Sequence, residues 1–265
     1  AALRLSTAAA TLFVCVLISK ERIPAFSTDK ASPWPWYAFV GAFCMALPFF
    51  CFAWAATKVP SAVNAICNGA SPIFTAVMTH MLVAGDRMTG RKWLGVAMGF
   101  VGLIVLVGPG ALSHLGGEST IAEMVALFGA GLYAVGNIAI KRAPPVGTVT
   151  GAFLMCLCGA IAATPAAFLV SGPPPLPSLG PLGAVLFLGV GPTGLASIGY
   201  VWMVKRRGPL FTSFATYLAP LWATLIGVAI MGERPGLEAF LALALILGGV
   251  AVANLRPRAV APRTA

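Results

Sequence analysis

The chain has 265 residues, 59% hydrophobic and 9% charged, with 17 Lys and Arg against 7 Asp and Glu. A water-soluble domain carries about 25% charged residues, so this composition excludes an ordinary soluble enzyme or nucleic-acid-binding module. A mean hydropathy of +0.93 points to the bilayer instead.

Apolar runs long enough to cross about 30 Å of hydrocarbon as helices recur at 3–19, 34–57, 61–84, 93–112, 120–140, 149–170, 182–204, 210–231 and 237–255. None alternates apolar and polar residues as a membrane strand would. In chain order, the first run carries Arg4 and leads to a basic link with Lys20, Arg22 and Lys30. The second opens on Trp34, Trp36 and Tyr37 and holds Pro48. The third carries Asn64, Asn68, Ser71, Pro72 and Thr75, and the fourth Gly95, Gly99 and Gly102. The fifth begins with Glu123 and contains Tyr133 and Asn137; the sixth holds Pro165. The seventh has Pro192, Thr193, Ser197 and Tyr200, the eighth Thr212, Thr216, Tyr217, Pro220 and Thr224, and the ninth Gly248 and Gly249. The fold class is an all-α integral membrane protein.

Alternating the links between the two membrane faces sorts the cations. One face receives Lys20, Arg22, Lys30, Arg87, Arg91, Lys92, Lys141, Arg142, Lys205, Arg206, Arg207, Arg256, Arg258 and Arg263; the other receives Arg4, Lys58 and Arg234. The positive-inside rule makes the rich face cytoplasmic, with the C-terminus on it. The net charge of +10 is then topology and anionic-lipid contact, not nucleic-acid binding. The six cysteines all lie in apolar runs, and Cys156 and Cys158 point apart on a helix, so neither a disulfide framework nor a metal spacing is present. Two histidines, His80 and His114, are too few for a metal or acid–base cluster, and no cofactor is expected.

Two short polar links share one pattern: Gly85-Asp86-Arg87 and Gly232-Glu233-Arg234. Around them, 70–87 aligns with 218–234, setting Pro72 against Pro220, and 93–107 aligns with 240–254, setting Gly102 against Gly249. The aligned helices run in opposite directions across the membrane, which is the arrangement of inverted-topology repeats in secondary transporters. We read 1–115 as the first repeat, with four visible helices, and 116–265 as the second, with five. Symmetry predicts a further helix before Ala1. The glycine ridges at Gly95, Gly99, Gly102 and Gly248, Gly249 suit close helix packing inside the bundle.

Polar residues inside spans carry the functional information, because unsatisfied groups in hydrocarbon are costly. Asn64, Asn68, Ser71 and Thr75 fall at i, i+4, i+7 and i+11, on one helical face. Thr212, Thr216 and Tyr217 occupy the matching region of the eighth run; Tyr133 with Asn137, and Thr193, Ser197 and Tyr200, repeat the spacing elsewhere. Four helices thus present polar stripes toward a shared cavity. The competing reading is interhelical hydrogen bonding, at about 0.6–2 kcal/mol each. Pro72 and Pro220, each lacking a backbone donor, are expected to bend their helices beside that cavity. No Lys or Arg is expected at mid-membrane, and an uncharged cavity favours zwitterionic or neutral cargo. Glu123 is the candidate carrier for proton coupling.

The segments Ser71-Pro72-Ile73-Phe74-Thr75-Ala76 and Tyr217-Leu218-Ala219-Pro220, each followed by a Gly-acid-Arg turn, resemble the EamA-type ten-helix branch of the drug/metabolite transporter superfamily, as do Val201–Pro209 and Ala1-Ala2-Leu3-Arg4. Tyr133 stands where that family often has Trp. The resemblance implies a multi-pass protein of the bacterial inner membrane that exports amino acids or similar metabolites by alternating access. Its partners would be a small-molecule substrate and the lipid bilayer; the sequence specifies no oligomeric state. An uncoupled uniporter or exchanger, and a membrane assembly protein without transport activity, are the alternatives. An intramembrane enzyme would need a nucleophile and base at one depth, and the spans offer none.

Overall fold

A computed structural model describes residues 2–83, 88–108, 110, 112, 120–171, 179–219, 222 and 237–254. Among these residues there is no strand. The helices are α1 (Ala2–Ser19), α2 (Pro33–Gly41), α3 (Leu47–Ala55), α4 (Ser61–Gly69), α5 (Ser71–Leu82), α6 (Gly90–Val107), α7 (Thr120–Arg142), α8 (Thr148–Ser171), α9 (Leu179–Leu188), α10 (Ala196–Arg207), α11 (Pro209–Ser213) and α12 (Leu237–Asn254). Helix α2 passes into α3 through a π-helical stretch, Ala42–Ala46, and α9 into α10 through another, Gly189–Leu195. Counting these as continuous spans, seven helices among the described residues are long and apolar enough to cross a membrane.

Two of the nine apolar runs are not among these seven: 61–84 is broken in its backbone, which hydropathy does not register, and half of 210–231 lies outside the described residues. The run 61–84 is two helices: α4 stops at Gly69, Ala70 sits at the joint with φ −73° and ψ −12°, and Pro72 lies in the first turn of α5. Proline is tolerated there because the first helical N–H groups have no partner within the helix. Pro72 thus lies immediately after an interruption of the run, in the first turn of the helix that follows it. The run 210–231 is also interrupted: α11 ends at Ser213, Phe214 forms a turn, and helix resumes over 215–219. Pro220, Thr224 and both Gly-acid-Arg links lie outside the described residues.

Proline also accounts for the π stretches. Pro48 donates no N–H to the Cys44 carbonyl, and the ladder widens just before it, with the Leu47 N–H reaching back five residues to Ala42. Pro192 lies inside the second stretch. Gly208, at φ +95°, ends α10 in a conformation that L side chains rarely adopt and turns the chain into Pro209 of α11.

The outer faces of the bundle are apolar: Ile18, Leu169, Phe187 and Leu237 are largely exposed, a surface suited to acyl chains. The interior is built from small side chains, among them Ala8, Ala126, Ala130, Ala134, Ala152 and Cys156, which let helix backbones approach closely where lipid supplies no hydrophobic driving force. Helices of the first half pack mainly on those of the second: α1 and α2 on α8, α3 and α5 on α7, and α6 on α12. The α6–α12 contact is the most extensive, and glycine makes it possible. A Cβ at Gly95 would lie 2.4 Å from the Gly249 carbonyl oxygen, and one at Gly249 would lie 2.6 Å from the Gly95 oxygen. The glycine ridges thus face each other inside the bundle.

Candidate functional site

Two adjoining cavities lie among the helices. The first, of about 430 Å³, lies between α2, α3, α5, α7, α8, α10 and α11. From the expected site residues it takes Ser71, Tyr133, Asn137, Ser197, Tyr200, Thr212 and Thr216. Ser213, which the polar stripes did not select, also lines it, and the rest of its wall is mostly apolar, chiefly Val40, Met45, Phe49, Met155 and Met203. The second, of about 500 Å³, is lined by Arg4, Ser61, Asn64, Asn68, Phe49, Phe52 and Tyr133, with Ala53 and Ala65. Phe49 and Tyr133 line both cavities and mark where they meet. The Tyr133 ring stacks on Phe52, with centroids 5.7 Å apart and planes 18° from parallel.

Hydrogen bonds fix several of these groups. The Tyr200 hydroxyl donates to Asn137 Oδ1 at 2.9 Å, joining α10 to α7 across the first cavity. Asn64 Nδ2 donates to the Phe52 carbonyl at 3.2 Å, tying α4 to α3. Ser197 Oγ donates to the Thr193 carbonyl at 2.5 Å inside the π-distorted span. Ser71, Asn137, Thr193, Ser197 and Thr212 are buried. Asn64 Oδ1 and Asn68 Oδ1 are buried acceptors with no protein partner.

Not every expected residue reaches the cavities. Thr75 is fully buried and donates to the Ser71 carbonyl of its own helix at 2.8 Å. Tyr217 is also fully buried: its ring fills the space beside Gly99, where a Cβ would lie 2.5 Å from it, and its hydroxyl donates to the Val96 carbonyl at 3.3 Å. Both side chains line neither cavity and serve packing between helices. Thr193 lines neither cavity but accepts a hydrogen bond from Arg4.

The larger correction concerns charge, because the site is not uncharged. Arg4, in the first turn of α1, reaches the second cavity; its Nε donates to Thr193 Oγ1, and its guanidinium lies 5.1 Å from the centre of the Phe49 ring. Sorting cations by loop assigned Arg4 to topology. The available signal was that it is the one Lys or Arg within any of the nine apolar runs. The wall contributed by α2 and α3 also went unread, since that run holds no polar residue at mid-span.

Away from the cavities, Glu21 accepts from the backbone N–H groups of Val149 at 3.4 Å and Thr150 at 2.8 Å, capping α8 from the link after α1. Lys141 donates to the Lys205 carbonyl and Lys205 to that of Ala143, a reciprocal tie between the ends of α7 and α10. His80 Nδ1 accepts from the Met88 N–H at 3.3 Å, a structural contact. Among the described residues no group of three His, Cys, Asp or Glu could hold a metal ion.

Several membrane-length apolar helices, two of them π-distorted, define a multi-pass membrane protein. The EamA-like transporter family matches over residues 1–108 and 120–255, and the chain belongs to that family, whose members are transporters and not enzymes. It is 27% identical over 199 residues to an uncharacterized inner membrane transporter, YedA, of Escherichia coli strain K12, a match covering 75% of this chain and 63% of that protein. It is 31% identical over 239 residues to the aromatic amino acid exporter YddG of Ancylobacter novellus, covering 85% and 78% respectively. A solved crystal structure, 26% identical, superposes with a TM-score of 0.79 over 98% of this chain and 88% of its own.

Proposed function

We propose that the protein is a secondary transporter that exports small polar or amphipathic metabolites, amino acids among them, by alternating access. The carrying observation is a pair of adjoining cavities, the first walled by both halves of the chain and the second by the first half with Tyr133, beside broken or π-distorted spans and holding most of the polar side chains in the expected stripes. Irregular backbone at membrane depth is tolerated where it is buried in protein or lines a cavity. The 1–115 and 116–265 segments act as inverted repeats that rock about this site. Two features support that reading: the family matches separately over 1–108 and 120–255, and Ala42 precedes Gly85 by as many residues as Gly189 precedes Gly232, so the π stretches keep the register of the hinges. The basic face of the membrane protein is its cytoplasmic one, with the C-terminus there. The name of the Ancylobacter relative favours aromatic amino acids, and the mostly apolar wall of the first cavity suits them.

Transport without ion coupling is the second reading, favoured by one observation: no Asp or Glu lines either cavity among the described residues. Glu123, buried in the first turn of α7, is the candidate proton carrier if coupling exists. Purified protein in sealed vesicles, offered a labelled panel of amino acids, amines and sugars with and without a pH gradient, tests both. Saturable movement of an amino acid supports the transport reading, and its collapse without the gradient, or in Glu123→Gln, selects coupling. Equilibration that ignores the gradient selects uniport or exchange. Movement of no panel member overturns the transport reading for these cargo classes.

A further inference from the structure

We propose that Arg4 anchors the carboxylate of the cargo, with the polar cavity holding the charged end of the molecule and the neighbouring cavity its apolar body. This rests on the transport reading above and assigns the two cavities different halves of one ligand.

The guanidinium has five N–H donors in a planar fork. One, on Nε, is given to Thr193 Oγ1. The other four find no acceptor among the described residues, and the same residues offer Arg4 no carboxylate partner. A partly buried cation at a membrane cavity is costly unless something compensates it. The Phe49 ring supplies a cation–π contact at 5.1 Å, which orients the group without neutralising it. What remains is a fork oriented on two sides and open on the edge that matches a carboxylate bidentately.

The rest of the wall agrees in sign and in polarity. Ser61, Asn64 and Asn68 share the cavity with Arg4, and among the described residues no acidic side chain lines it. Past Phe49 and Tyr133 the exposed lining becomes mostly apolar, with Val40, Met45, Met155 and Met203 beside the hydroxyls and amide of the polar stripes. A ligand with an anionic end and an apolar body spans the two environments; a sugar or a simple amine does not. Thr193 then acts as a positioning residue, holding the Arg4 fork from the π stretch, and is in turn fixed by Ser197 at 2.5 Å.

The test is binding to the full chain in detergent micelles, using calorimetry and three probes that share a phenyl ring: L-phenylalanine, 3-phenylpropionate and 2-phenylethylamine. The wild type should prefer the two carboxylates over the amine. Arg4→Gln should weaken both carboxylates by roughly tenfold or more and leave the amine unchanged or tighter. Arg4→Lys keeps the charge and loses the fork, so it should fall between. Thr193→Val should weaken the carboxylates by a smaller factor and keep their order. If Arg4→Gln does not elute as folded protein, Arg4→Lys decides: its preference for carboxylate over amine must narrow. Equal weakening of all three probes would overturn the proposal, making Arg4 a tie between α1 and the π stretch. A wild type that does not favour the carboxylates, or binds none of them, would overturn it too. The vesicle panel separates the two readings: transport of a cargo lacking a carboxylate keeps the transporter and removes the anchor, whereas carboxylate binding without transport does the reverse.

Discussion

The two aligned helical stretches of each half solve opposite problems. One stretch, α4 with α5 in the first half and α11 with residues 215–219 in the second, is broken and bears polar side chains toward the cavities. The other, α6 and α12, is unbroken, and its two copies pack on each other through glycine. The broken stretches give up backbone regularity to expose hydrogen-bonding groups at depth; the unbroken ones exclude everything, side chains included, to bring two backbones together. The aligned sequence block therefore supplies a broken, polar cavity wall in one stretch and an unbroken, close-packed seam in the other. Functional substitutions should separate from structural ones along that line.

The largest effect is expected at the seam. Gly95→Leu places a side chain where even a Cβ would sit 2.4 Å from backbone oxygen, and backbone cannot yield as a flexible side chain can. The cost should reach or exceed the roughly 1–3 kcal/mol typical of overpacking. Loss of the monodisperse peak on size-exclusion chromatography is the predicted result, and a normally eluting, active variant would place the seam elsewhere. An intermediate effect, of the opposite kind, is expected at the cavities. Asn68→Leu combined with Thr216→Leu removes one polar group from each wall; uptake into vesicles should fall about tenfold or more, since each lost contact to cargo is worth on the order of 1 kcal/mol, while the melting temperature shifts little. Survival of full activity would favour an assembly role. The smallest effect is expected where the two regions touch. Tyr217→Phe loses only the bond to the Val96 carbonyl, so stability should drop by about 0.5–1.5 kcal/mol with transport selectivity unchanged.

How much of this was legible beforehand follows from what each signal measures. Hydropathy located the spans, because burial in lipid is a property of side chains summed over a window. It read 61–84 as one helix, since the break at Ala70 lies in the backbone and leaves composition unchanged. Polar periodicity found Ser71, Asn137, Ser197, Tyr200, Thr212 and Thr216, all at the first cavity. It also selected Thr75 and Tyr217, whose groups are satisfied within the protein, because spacing gives the face of a helix and not what stands opposite it. Arg4 was misread for the reverse reason: a cation near the end of a span satisfies the positive-inside count wherever its side chain goes. Its contacts with Thr193 and Phe49 join segments far apart in the chain, and only the packing of α1 against the π stretch brings them together.

Alternating access is the central claim, and two-sided labelling tests it most directly. Ala215 lines the first cavity and is exposed there. In a variant lacking the six native cysteines, Ala215→Cys would be challenged with a membrane-impermeant thiol reagent from either face of oriented vesicles. The account predicts labelling from both faces, with an added cargo amino acid shifting the balance between them. Labelling from one face only, unchanged by any amino acid, would contradict it.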